Sequence, residues 1–132
     1  MNILAHKILM ILEKTDTGFS AYATDFPIFT TGETIPELLN NSVEATTLYF
    51  EEKHLRITRD DIKFEIDFKQ FFQYYRVLNS NFLAKRIGMN PTLLSQYVRG
   101  KKKPSAAQTE KILMGINKIG KELSEIKFSH NP

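Results

Sequence analysis

The hydrophobic pattern changes period twice along the chain. Residues 7–14, KILMILEK, are an apolar run closed by charge, and TDTG at 15–18 carries turn chemistry. In FSAYATD, 19–25, Phe19, Ala21 and Ala23 alternate with Ser20, Tyr22 and Thr24, the two-residue period of a strand. These segments predict a β-hairpin. Asp25-Phe26-Pro27 breaks the pairing, Ile28 to Thr31 offers a third short strand, and Gly32 ends it. From Thr34 the period becomes helical: Ile35, Leu38, Leu39, Val43, Thr46, Tyr49 and Phe50 share one face of a helix predicted to run to about Lys53. Thr34 with Glu37 makes its capping box, and Pro36 suits its first turn. The period of two returns in DIKFEIDF, 61–68, with Ile62, Phe64, Ile66 and Phe68 on one side and Lys63, Glu65 and Asp67 on the other.

Beyond this strand only helical spacing remains. Phe68, Phe71, Phe72, Tyr75 and Leu78 mark one helix, and Phe82, Leu83, Ala84 and Ile87 a short second one stopped by Gly88. Asn90 as N-cap and Pro91 in the first turn begin a third, with Leu93, Leu94, Tyr97 and Val98 facing inward. Ser105 with Gln108 starts the last stretch, where Ile112, Leu113, Ile116, Ile119, Leu123 and Ile126 form a continuous stripe. Gly115 and Gly120 leave open whether that stretch is one helix or two. The predicted class is α+β: a small β-β-β-α-β domain over residues 1–68, one sheet face covered by its helix, then an all-α helix-turn-helix domain over 69–132.

Charge divides at the same point. Residues 1–68 hold 6 Lys and Arg against 12 Asp and Glu, a balance of −6; residues 69–132 hold 12 against 3, a balance of +9. Opposite signs suggest different partners for the two halves, a polyanion for the basic one and something basic for the acidic one. A hydrophobic share of 42%, with ten Phe, five Tyr, five Pro and six Gly, fits folded domains. The absence of Cys excludes disulfides and thiolate zinc sites and leans toward an intracellular, cytoplasmic setting, as does an apolar N-terminal stretch interrupted by His6 and Lys7. The longest aliphatic run, Ile8 to Leu12, is far short of the ~20 residues of a membrane helix.

In the basic half, Thr92, Ser95 and Gln96 are the outward residues of the third helix and candidates for base contacts, since Gln can pair bidentately with adenine. Asn90, Arg99, Lys101, Lys102, Lys103 and Lys85 are candidates for phosphate contacts, which fix register without reading sequence. Leu83-Ala84, Gly88, Leu94-Ser95, Tyr97, Arg99-Gly100-Lys101 and Pro104, taken together, resemble the phage-repressor/Cro-type helix-turn-helix family over about residues 70–126. The resemblance implies operator DNA as partner and a homodimer on two half-sites. It also marks Pro91 as a departure, since relatives often place a polar base contact there and Pro cannot donate.

In the acidic half no catalytic constellation is expected. A ribonuclease-H-like nuclease needs carboxylates gathered on central strands for its metals, whereas the run at 8–12 has none and Glu65 and Asp67 lie opposite the apolar side. His6, His54 and His130 stand singly, so no metal site and no cofactor are expected. The stretch TDTGFSAYATDFPIFTTGETIPELLNNSVEATTLYFEE, with Asp16, Gly18 and Phe19 at one turn, Asp25-Phe26-Pro27 at the next and Thr31-Gly32-Glu33-Thr34 before the helix, resembles the HicB antitoxin family. That resemblance implies a reduced, inactive ribonuclease-H-like domain that binds HicA, a small basic RNA-cleaving toxin, while the second domain represses the operon. Asp16, Asp25, Glu33, Glu51 and Glu52 are then candidates for the toxin-binding face. The alternative is a DNA-binding regulator whose first domain senses a small ligand or only dimerises.

Overall fold

In a computed structural model, residues 6–128 are described, and His130 lies outside them. The chain divides into two compact units, with the boundary between Tyr74 and Tyr75.

The first unit holds strands β1 (Ile8–Thr15), β2 (Gly18–Ala23) and β3 (Phe29–Gly32), helix α1 (Ile35–Tyr49), strand β4 (Ile62–Ile66) and the short helix α2 (Phe68–Tyr74). Sheet order is β3-β2-β1-β4, with β1 antiparallel to β2 and parallel to β4. Thr15 pairs with Gly18, so Asp16 and Thr17 alone make the hairpin turn. Pairing places Met10, Ala23 and Phe64 on one face, together with Leu12, Ala21 and Ile66. This is the face that buries the core with Leu38 and Phe50 of the α1 segment. The mixed α+β class read from the pattern is what the structure has.

Two element boundaries differ from expectation. Helix α1 stops at Tyr49, short of Lys53, because Phe50 turns into the core and stacks edge-on against Phe26 and Tyr49. The chain then tightens into a 3-10 turn, Glu51–Lys53, and reverses at His54, whose φ is 54°. The division between units lies after Tyr74 rather than after Phe68. Helix α2 is shorter than the Phe68 to Leu78 spacing predicts, and it is tied to the first unit by side chain to backbone bonds. Gln70 accepts from the Lys14 amide through Oε1 at 2.8 Å and donates through Nε2 to the Lys14 carbonyl at 2.7 Å. Asp67, expected on the solvent side of the last strand, instead caps α2 by accepting from the Gln70 amide. The Lys14 ammonium lies 5.1 and 5.0 Å over the rings of Phe19 and Tyr74.

The second unit is helical: α3 (Ser80–Ile87), α4 (Pro91–Val98) and α5 (Ala106–Ser124). Helix α5 is continuous through both glycines. A Cβ at Gly115 would collide with the Ile87 side chain on α3, so this glycine permits close packing of two helices rather than breaking one. Among the described residues no helix is long and apolar enough to cross a membrane.

A similar constraint operates at Gly32, where an added Cβ would sit 2.6 Å from the Leu38 nitrogen and 2.8 Å from its Cα. Backbone cannot yield as a flexible side chain can. Gly32→Ala is therefore expected to destabilise the first unit by about 1–3 kcal/mol, seen as an earlier urea midpoint; an unchanged midpoint would show that α1 can slide on β3.

Candidate nucleic-acid interface

The geometry of the basic half is set by a three-residue turn. Gly88 ends α3 in the left-handed region, φ 69°, and its successor Met89 donates its amide to the Ala84 carbonyl at 2.9 Å. Met89 is buried. Asn90 then begins α4, its Oδ1 accepting from the amides of Thr92 at 2.8 Å and Leu93 at 3.3 Å. Sequence thus decides the turn residue by residue: a glycine for the positive φ, an apolar anchor, and a cap.

Helix α4 is divided lengthwise. Leu94 and Tyr97 are buried, with Leu93 and Val98 half-buried beside them. Thr92, Ser95, Gln96 and Arg99 fall at i, i+3, i+4 and i+7, a single stripe on the other side. Thr92 and Arg99 are exposed, while Ser95 and Gln96 are half-buried, so the stripe is open at both ends and more sheltered in the middle. Pro91 is exposed at its start.

The lysine run is held against the end of this helix by backbone. The Gln96 carbonyl accepts from the amides of Lys101 at 2.8 Å and Lys102 at 3.3 Å, folding the loop back over the last turn. Lys101, Lys102 and Lys103 are all exposed. The structure therefore brings the three lysines and Arg99 to the C-terminal end of the stripe that carries Thr92, Ser95 and Gln96. The other two candidates for phosphate contacts each make a contact within the unit. Lys85 has its ammonium 5.3 Å over the Phe82 ring, and Asn90 spends its Oδ1 on the cap, leaving Nδ2 as the group able to donate to a phosphate.

The acidic candidates do not form one face. Glu33 and Thr17, the neighbour of Asp16, line a cleft of about 320 Å³ with Glu37, Asn41 and Phe19, at the N-terminal end of α1. Asp16 also accepts from the Tyr74 hydroxyl at 3.1 Å. Asp25 is next to Phe26, which packs on Tyr49 and Phe50, so it lies with Glu51 and Glu52 at the other end of the same helix. A 15-residue helix separates the two groups, which is ~22 Å. All five are exposed.

Sequence reasoning missed Asp61 and Glu37. Asp61 is buried and accepts from the Thr58 amide at 2.8 Å, which is a turn-closing task. Glu37, expected to complete a capping box with Thr34, instead accepts from the Glu33 amide at 3.3 Å and lines the cleft, while Thr34 still caps α1 by accepting from the Glu37 amide. Among the described residues, no group of three or more His, Asp and Glu is placed to hold a metal ion. No protein-family model matches the sequence, and no curated protein does either.

The two tasks of Asn90 can be separated. Asn90→Ala should cost about 1 kcal/mol through the lost cap, measured as faster hydrogen exchange at the Thr92 and Leu93 amides. Asn90→Asp keeps the cap and should leave that exchange unchanged; equal loss in both variants would refute the capping role.

Proposed function

We propose that this chain is a transcriptional repressor of the helix-turn-helix type that also serves as the antitoxin of a toxin-antitoxin pair. The observation that carries the DNA reading is the α4 stripe of Thr92, Ser95, Gln96 and Arg99, ended by a lysine loop fastened to the Gln96 carbonyl. A helix with polar hydrogen-bonding side chains along one face and cations at its end suits the major groove of double-stranded DNA. The side chains meet base edges there and the cations meet phosphates. Pro91 at the helix start gives up a donor, so base contact would fall to Thr92, Ser95 and Gln96.

The antitoxin reading rests on the resemblance of the first unit to the HicB family and on charge. Residues 1–68 carry −6, a suitable counterpart for a small basic RNA-cleaving protein such as a HicA-like toxin. The acids stand at both ends of α1, so a partner lying along that helix would meet Asp16 and Glu33 at one end and Asp25, Glu51 and Glu52 at the other. We assign no catalytic role to this unit. The cytoplasm, at the nucleoid when DNA is bound, is where such a protein would act.

With DNA from upstream of its own gene, replacing Lys101, Lys102 and Lys103 by Ala should weaken binding across sequences. It should also flatten the slope of log K against log [salt] by up to about 2.7. An unchanged slope removes the phosphate role. Gln96→Ala should instead cost about 1–3 kcal/mol at one base position and relax preference there. For the first unit, co-expression with the short basic reading frame adjoining the gene should restore growth and yield a complex that weakens at high salt. Growth arrest despite both proteins would refute the antitoxin role.

A further inference from the structure

We infer that the outer edge of β3 takes up an extended segment of the basic partner as an added strand, one whose side chains alternate between apolar and Lys or Arg. β3 stands first in the sheet order β3-β2-β1-β4, so among the described residues its outer side pairs with no strand. Ala23 donates its amide to the Ile28 carbonyl at 2.9 Å, and the register continues Tyr22 to Phe29, Ala21 to Thr30 and Ser20 to Thr31. Hydrogen-bonded pairs alternate along an antiparallel ladder, so Phe29 and Thr31 turn their N–H and C=O groups away from β2. The Thr31 carbonyl accepts from Nδ2 of Asn41 at 2.8 Å. Among the described residues, both main-chain groups of Phe29 and the amide of Thr31 remain to meet a new strand.

The two sides of this edge differ in chemistry. Phe29 and Tyr22 are direct cross-strand neighbours on the sheet face opposite the α1 core, 65% and 37% exposed, a ledge for an apolar side chain. Toward α1, Thr31 and Asn41, whose bond marks the edge, also line the cleft of about 320 Å³ that holds Glu33 and Glu37. Side chains of a strand point alternately to opposite faces. An added strand can therefore lay an apolar residue on the ring pair and extend the next, a Lys or Arg, to the carboxylates. Main-chain bonds supply the affinity of such a contact and the cleft its preference. Charge selects a basic partner over a second copy of this chain. Two β3 edges paired with each other would bring two acidic clefts to one interface, whereas the −6 of residues 1–68 attracts a basic chain. The inference rests on the antitoxin reading for the identity of the partner and names the surface that partner would use.

The probe is a short acetylated peptide alternating Val and Lys, titrated to millimolar concentration into the full-length protein and followed by amide NMR. Solvent exchange should slow at the Phe29 and Thr31 amides and stay as it was at Thr30, whose amide already faces β2. The same peptide with alternate amides methylated loses the main-chain donors and should not bind, and a peptide alternating Val and Glu should bind far more weakly. No slowing at Phe29 and Thr31, or equal binding of the methylated or the Glu peptide, would overturn the inference. Thr31→Pro removes the outward N–H without touching the bonds to β2, and it should weaken binding of the Val-Lys peptide by about fivefold. Glu37→Gln keeps the acceptor for the Glu33 amide but not the charge, and it should weaken binding by about twofold or more at low salt only. Wild-type affinity in both variants would also overturn it. A chain that takes the peptide at β3 but does not restore growth beside the toxin refutes the antitoxin reading alone. A toxin complex that Thr31→Pro leaves at wild-type affinity refutes the edge alone.

Discussion

The second unit depends on a small shared core of Leu83, Ala84, Met89, Leu94, Tyr97 and Ile112, in which Ala84, Leu94 and Ile112, one from each of three helices, are fully excluded from solvent. So few buried side chains leave little stabilisation to spare against the entropy of ordering the chain. Backbone capping makes up part of the difference. Every helix of the unit begins with a side chain that accepts from its own first turn, Asn79 from Phe82, Asn90 from Thr92 and Leu93, and Ser105 from Gln108. The turn between α3 and α4 is thus held at both ends, by Gly88 and by Asn90, and the direction in which α4 presents its polar stripe follows from those two residues.

The first unit solves its packing differently. Its sheet face is covered by one helix lying close enough that Gly32 touches backbone, and the far strand end is fastened by Gln70 bonding both main-chain groups of Lys14. Tyr74 and Lys14 complete the fastening through ring, ammonium and the Asp16 carboxylate. Helix α2 is therefore a part of the acidic unit, and the net charges of the two units are separated by a stretch of chain that belongs to neither sheet nor helix, residues 75–79.

What was legible in the sequence is what local periodicity encodes. Alternation in DIKFEIDF located β4, the Ile35 to Tyr49 spacing located α1, and the turn Gly88-Met89-Asn90 was readable from residue types alone. What was not legible depends on partners distant in the chain. Gln70 lies 56 positions from Lys14, so nothing near it reveals that α2 docks on β1. Gly115 reads as a helix breaker until Ile87 is seen against it. The acidic candidates are legible by residue type alone, and only the fold shows that α1 holds them in two separate groups.

The lysine loop is shaped by main-chain groups: its amides, rather than its side chains, meet the Gln96 carbonyl. Form and charge are therefore inherited separately at this point of the molecule. Arginine could replace Lys101 or Lys102, or either could be acetylated, without altering these main-chain bonds. If the loop meets a polyanion as proposed, its affinity can be adjusted there in small steps while the helix beside it keeps its aim.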